Sequence, residues 1–183
     1  MLGATLWGLD GYLQAYHRPY QNWLPQGSFR ADPDSSPLGW TQQNAIPCVL
    51  SERTAGNLPL TFLHLTAASG EVSTQLDLES GWRMLHLSFW IRWAPTGPVP
   101  VGGIHGLFTG ATGVVSEQII RWAPSSKADG RWHQLEGVWT RPAGSRRLNL
   151  SLECRGDGAA IDMAELVIVP TFVSHQGVYF PTH

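Results

Sequence analysis

The residues best suited to holding a ligand lie at alternate positions of one stretch. In GWRMLHLSFWIRW, residues 81–93, His86, Ser88, Trp90 and Arg92 alternate with Leu85, Leu87, Phe89, Ile91 and Trp93. In an extended chain a period of two puts the first set on one face and the second on the other. The outward row then carries a tryptophan between a histidine and an arginine. An indole ring is a flat surface on which the CH face of a pyranose stacks, and planar polar side chains beside it suit the hydroxyls. Gln134 and Glu136 sit in residues 131–140, a strand expected to neighbour this one, and Trp122 and Trp132 are further aromatics. Trp90, His86, Arg92, Gln134 and Glu136 are therefore the candidate ligand-binding residues. The chain has 9 tryptophans and most must serve the core, so the competing reading packs Trp90 beneath a chain terminus.

Catalytic signatures are missing. There is no HExxH, GxSxG, P-loop or CxxC pattern, and the glycine-rich residues 106–113 have the wrong spacing for a dinucleotide fingerprint and read as a loop. Glycoside hydrolysis needs two carboxylates roughly 5–9 Å apart across a cleft. Glu79, Glu117, Glu136 and Glu153 are available, but spacing pairs none of them, and such residues ordinarily lie on solvated strand faces. The 7 histidines show no ligand spacing, so no transition-metal site is expected. The expected role is binding or structural, without catalysis.

Composition narrows the partners. The chain has 183 residues, a net charge of −2 and 12 Lys and Arg without clustering, which argues against a nucleic-acid partner. No apolar run is long enough to span a bilayer, so no membrane partner is expected. The apolar start MLGATLWGL precedes the first basic residue, Arg18, the reverse of a secretory signal, and none is assigned. Of the two cysteines, Cys154 falls on the apolar row of a strand, and a buried free thiol is preferred to a disulfide with Cys48.

The elements that must position these residues follow from turns and alternation. In residues 1–20, Leu2, Leu6, Leu9, Leu13 and Tyr16 recur at spacings of four and three, as on a helix seam. Gly3, Gly8 and Gly11 each weaken such a helix by about 1 kcal/mol. This arm either folds back on its own domain or anchors on another chain. From residue 21 the pattern is a succession of short strands: 46–50, 60–65, 71–78, 81–93, 114–122, 131–140 with an irregularity near Gly137, 148–154 and 161–169, the last ended by Pro170. Residues 101–109 are broken by glycine and ambiguous, and Gly156-Asp157-Gly158 is a hairpin signal. Such a pattern predicts an all-β, antiparallel β-sandwich over residues 21–170. The apolar tail, 171–183, either covers a sheet or joins a partner subunit.

Four segments in order resemble the jelly-roll carbohydrate-binding modules attached to bacterial xylanases and glucanases. They are NWLPQGSF (22–29) followed by Gly39-Trp40, residues 72–93, residues 132–142 and IDMAEL (161–166). The resemblance implies a jelly-roll topology and possible glycan binding, and this jelly roll also occurs in phage structural proteins. In that family an acid after the first Phe often helps an Asp of the last strand hold a structural calcium. Here Arg30 stands in the acid's place while Asp162 keeps the other, so an Arg30–Asp162 pair is expected instead of the metal, and no cofactor. The expected function is a carbohydrate-binding-module-like domain in a larger assembly, such as a virion decoration or fibre protein, with self-association or protein contact through residues 1–20 and 171–183. The alternatives are a free, extracellular lectin-like module serving a partner enzyme, or a jelly-roll glycosidase.

Overall fold

The computed structural model describes residues 22–31, 37–43, 48–53, 59–66, 71–78, 83–93, 101–122 and 129–171. The expectations for the arm at 1–20 and for the tail beyond Thr171 lie outside them, as does Glu79. The strands are β1 (Thr41–Gln43), β2 (Cys48–Arg53), β3 (Pro59–Thr66), β4 (Glu71–Asp77), β5 (Met84–Trp93), β6 (Val101–Gly110), β7 (Gly113–Trp122), β8 (His133–Thr140), β9 (Ser145–Arg155) and β10 (Ala160–Thr171). They form two five-stranded sheets, ordered β1-β4-β9-β6-β7 and β2-β3-β10-β5-β8. Every strand pairing is antiparallel. This is the predicted β-sandwich.

The alternating rows decide which faces meet. Leu85, Leu87, Phe89, Ile91 and Trp93 of β5 are all buried, as are Leu148, Leu150, Leu152 and Cys154 of β9 in the facing sheet. Ile104 and Phe108 of β6 and Ile161, Met163 and Ile168 of β10 complete the interior. Both cysteines are free thiols, and burial pushes that of Cys154 up to about 11. The opening segment is stitched to the second half of β10. The Asn22 side chain donates to the Leu166 carbonyl at 2.9 Å and accepts from the Ile168 and Leu24 amides at 2.9 and 3.0 Å. Phe29 is fully buried against Trp40, their ring centroids 5.5 Å apart.

Several expectations need correction. Residues 106–113 are not a loop: β6 runs through Gly110 and turns tightly into β7. Its glycines are spacers, since a Cβ on Gly106 would sit 2.2 Å from the Trp139 ring. Gly137 causes no irregularity, because the β5–β8 register runs unbroken from Met84↔Thr140 to Ile91↔His133. That glycine instead leaves room for Ile120, whose Cδ1 would lie 2.4 Å from an added Cβ. Register shifts lie instead at the end of β6, around Phe108–Gly110 against β7 and β9, and in β10 between Ala164 and Val167, where Glu165 has φ 49°. Gly156-Asp157-Gly158 is a corner between sheets and not a hairpin, since β9 and β10 belong to different sheets. Pro170 does not end β10. On that side β3 pairs only with residues 160–163, so the missing N–H breaks no ladder bond to β3.

Candidate functional site

The sandwich presents two outer faces, and the expected ligand row lies on that of the second sheet. Register sets Trp90 opposite Gln134 and Ser88 opposite Glu136. Trp90 is 37% exposed, and the Gln134 amide donates to Glu136 at 3.1 Å. These three side chains form a contiguous patch. His86 does not present itself in the same way. It is only 6% exposed, with Nε2 3.6 Å from Glu136. Burial lowers its pKa, with Glu136 pulling the other way.

Arg92 turns to a different set of partners. Its Nε and Nη2 reach one Asp162 oxygen at 2.9 and 2.8 Å, and Nη1 reaches Glu52 at 2.8 Å. The guanidinium lies 5.0 Å from the Phe62 ring centroid and 4.5 Å from that of Trp132. Trp132 in turn donates its indole N–H to the other Glu52 oxygen at 2.8 Å. His64 Nδ1 contacts the second Asp162 oxygen at 2.7 Å and that hydrogen bond raises the His64 pKa, against burial and Arg92. Burial raises the Glu52 carboxyl, but the Trp132 and Arg92 hydrogen bonds outweigh it and hold it below its ordinary value. A cavity of about 320 Å³ adjoins this cluster, lined by His64, Arg92, Trp93, Gly130 and Asp162.

The expected Arg30–Asp162 pair is therefore corrected. Both Asp162 oxygens are taken by Arg92 and His64, while Arg30 is exposed and makes no ion pair with Asp162 among the described residues. The reason is register: Asp162 lies directly between Arg92 of β5 and His64 of β3. This environment does not fit calcium, which would share its carboxylate with a guanidinium.

The outer face of the first sheet holds a groove of about 510 Å³ that the sequence reading missed. Ser73 of β4, His105 of β6, Glu117 of β7 and Asn149, Ser151 and Glu153 of β9 line it. Cross-strand register brings them together, with His105 opposite Ser151 and Ser73 opposite Ser151 on its other side. His105 spans two carboxylates, Nδ1 at 3.3 Å from Glu117 and Nε2 at 3.2 Å from Glu153. Which ring nitrogen carries the N–H decides which carboxylate receives it. Leu107 supplies apolar floor, and Arg155 bonds Glu153 at the rim. Of the four candidate carboxylates, Glu117 and Glu153 thus share this groove while Glu136 lies on the opposite sheet. The signal was present in the sequence as the outward row Asn149, Ser151, Glu153 and Arg155 of β9. That row belongs to a groove only because β4 and β6 flank it.

No family model matches the chain, and no curated protein matches it. Solved structures do. The xylan-binding CBM22-1 domain of Paenibacillus barcinonensis Xyn10C superposes with a TM-score of 0.56 at 17% identity, over 84% of this chain and 97% of that one. The enzymatically active domain of tailspike protein 4 of bacteriophage CBA120 gives 0.58 at 14% identity, over 84% of this chain and 22% of that one. The CBM22-1 and GH10 modules of Clostridium thermocellum xylanase 10B, solved with xylohexaose, give 0.52 at 12% identity, over 79% of this chain and 28% of that one. This chain therefore spans most of the isolated xylan-binding domain and under a third of the two longer proteins. It has the jelly-roll β-sandwich fold of carbohydrate-binding modules.

Proposed function

We propose that this protein is a non-catalytic glycan-binding module that works within a larger assembly, a virion structural protein being the preferred case. The observation that carries the reading is the groove across β4, β9, β6 and β7. Glycan hydroxyls are recognised by planar polar groups that donate and accept together, and Asn149, Glu117, Glu153, His105 and the two serines supply them in one concavity. Similarity to a xylan-binding domain supports the glycan, and similarity to part of a phage tailspike supports the assembly. His105 lies 3.3 and 3.2 Å from the two groove carboxylates, so the groove offers a linked set of acceptors and a donor to hydroxyls.

A second reading places the glycan on Trp90, favoured by its exposed indole beside Gln134 and Glu136. Affinity electrophoresis of the full chain in gels holding soluble xylan, β-glucan or galactan separates the two. Asn149→Ala with Glu153→Gln is expected to lower retention about tenfold, the loss of two or more hydrogen bonds to ligand, while Trp90→Ala leaves it within about twofold. The reverse pattern moves the site to Trp90. Absence of retention on every glycan, or release of reducing ends, ends the reading. Mass spectrometry of purified particles tests the virion assignment.

A further inference from the structure

β7 is the outer strand of the first sheet, bonded to β6 on one side. Among the described residues nothing pairs with its other edge. A long strand with a bare edge is a template for another strand, and folded proteins ordinarily blunt such edges with proline, lysine or a short strand. β7 runs for 10 residues, GVVSEQIIRW, with a bulge at Val115 near its start, and from Ser116 to Trp122 its register to β6 is unbroken and holds neither proline nor lysine. The other outer strands differ. β1 has 3 residues, β2 has 6, and on β8 the Gln118 side-chain amide takes both the N–H and the C=O of Thr140.

The residues of β7 also say what fits beside it. Glu117, Ile119 and Arg121 lie on its outward row, opposite Leu107, His105 and Gly103 of β6. Set antiparallel to itself about Ile119, the strand places Glu117 against Arg121 of a second copy, Ile119 against Ile119, and Arg121 against Glu117. About Gln118 instead, Glu117 faces Ile119 and Arg121 faces Val115, and both charges lose their partners. Opposite charges directly across a pair of strands stabilise it and like charges oppose it.

We propose that the outer edge of β7 is an interface with a second copy of this chain, paired antiparallel about Ile119, which joins the two first sheets into one continuous sheet. The two-fold axis stands perpendicular to the sheet, so both outer grooves face the same way. Glu117, which contacts His105 inside its own groove, then also meets Arg121 of the second copy, and each groove is continued onto its neighbour. The interface does not depend on what the groove holds.

Sedimentation equilibrium on the full chain tests it with four proteins. The unmodified chain is expected to dimerise reversibly. Glu117→Arg and Arg121→Glu alone each set like charges across both symmetry-related pairs and are expected to weaken the dimer about tenfold. The combined Glu117→Arg and Arg121→Glu chain restores opposite charges and is expected to return to within about threefold of the original. Both side chains are exposed, and far-UV circular dichroism checks that each variant folds. A monomeric unmodified chain, association unchanged by either single substitution, or a combined variant no better than the singles overturns the interface.

Discussion

Asp162 accepts from two side chains that respond differently to pH. Arg92 keeps its charge throughout and fixes one oxygen, with Phe62 and Trp132 against its faces. His64 holds the other oxygen and its pKa is raised above the ordinary 6.5 by that contact. A raised folded-state pKa means that protonation favours the folded chain. The contribution is complete below the ordinary value and is lost as pH rises through the folded one. The charged groups facing this histidine are Asp162, Arg92 and, through Arg92, Glu52, whose lowered pKa acts only in the acid range. Replacing His64 by Gln should therefore cost more stability at about pH 5.5 than at about pH 8.5. Urea midpoints at the two pH values read the difference, and an equal cost at both would show that the contact does not depend on the proton.

Among the elements, β5 and β9 were legible because every second side chain is large and apolar, so the pleat could be read directly. β6 was not, because four of its residues are glycine and a missing side chain leaves no pattern. The meaning of Gly106 becomes visible only when Trp139 arrives from the other sheet, a partner 33 positions away. The same limit hid the groove. The row on β5 and β8 needs only two neighbouring strands, whereas the groove needs β4, β6, β7 and β9 in one order. It also explains the errors at Gly137 and at Gly156–Gly158, where glycine signalled a bend or hairpin but served a close approach and a change of sheet. Gly106 and Gly137 make a contrasting pair. An added methyl at Gly106 strikes the ring of Trp139, which is buried and has no open direction, so Gly106→Ala should cost about 2–3 kcal/mol. At Gly137 the obstacle is the end of the half-buried Ile120 side chain, which has other rotamers, and alanine suits a strand better than glycine. Gly137→Ala should cost under about 1 kcal/mol. Urea denaturation of both variants checks the order, and equal costs would mean that the sheets separate to admit either methyl.

For the whole molecule, the proposed groove and the proposed edge have a joint consequence that neither has alone. Two grooves on one face of a shared sheet lie three strand steps apart, roughly 14 Å between the two His105 positions at about 4.8 Å per step. A long polysaccharide, or neighbouring chains on a surface, then meets two sites at once, and the second contact forms at high effective concentration. A short oligosaccharide meets one. Arg121 separates these cases, because it does not line the groove of its own chain and reaches that of the second copy only at Glu117 on the edge. Arg121→Glu should leave the affinity for a soluble oligosaccharide within about twofold while speeding release from immobilised polysaccharide by about tenfold or more. Calorimetry with the oligosaccharide and surface plasmon resonance on the polysaccharide measure the two. An equal loss in both would mean that the substitution disturbs the groove itself. No loss in either would mean that the module binds one copy at a time, and that its place in an assembly is set by some other part of the chain.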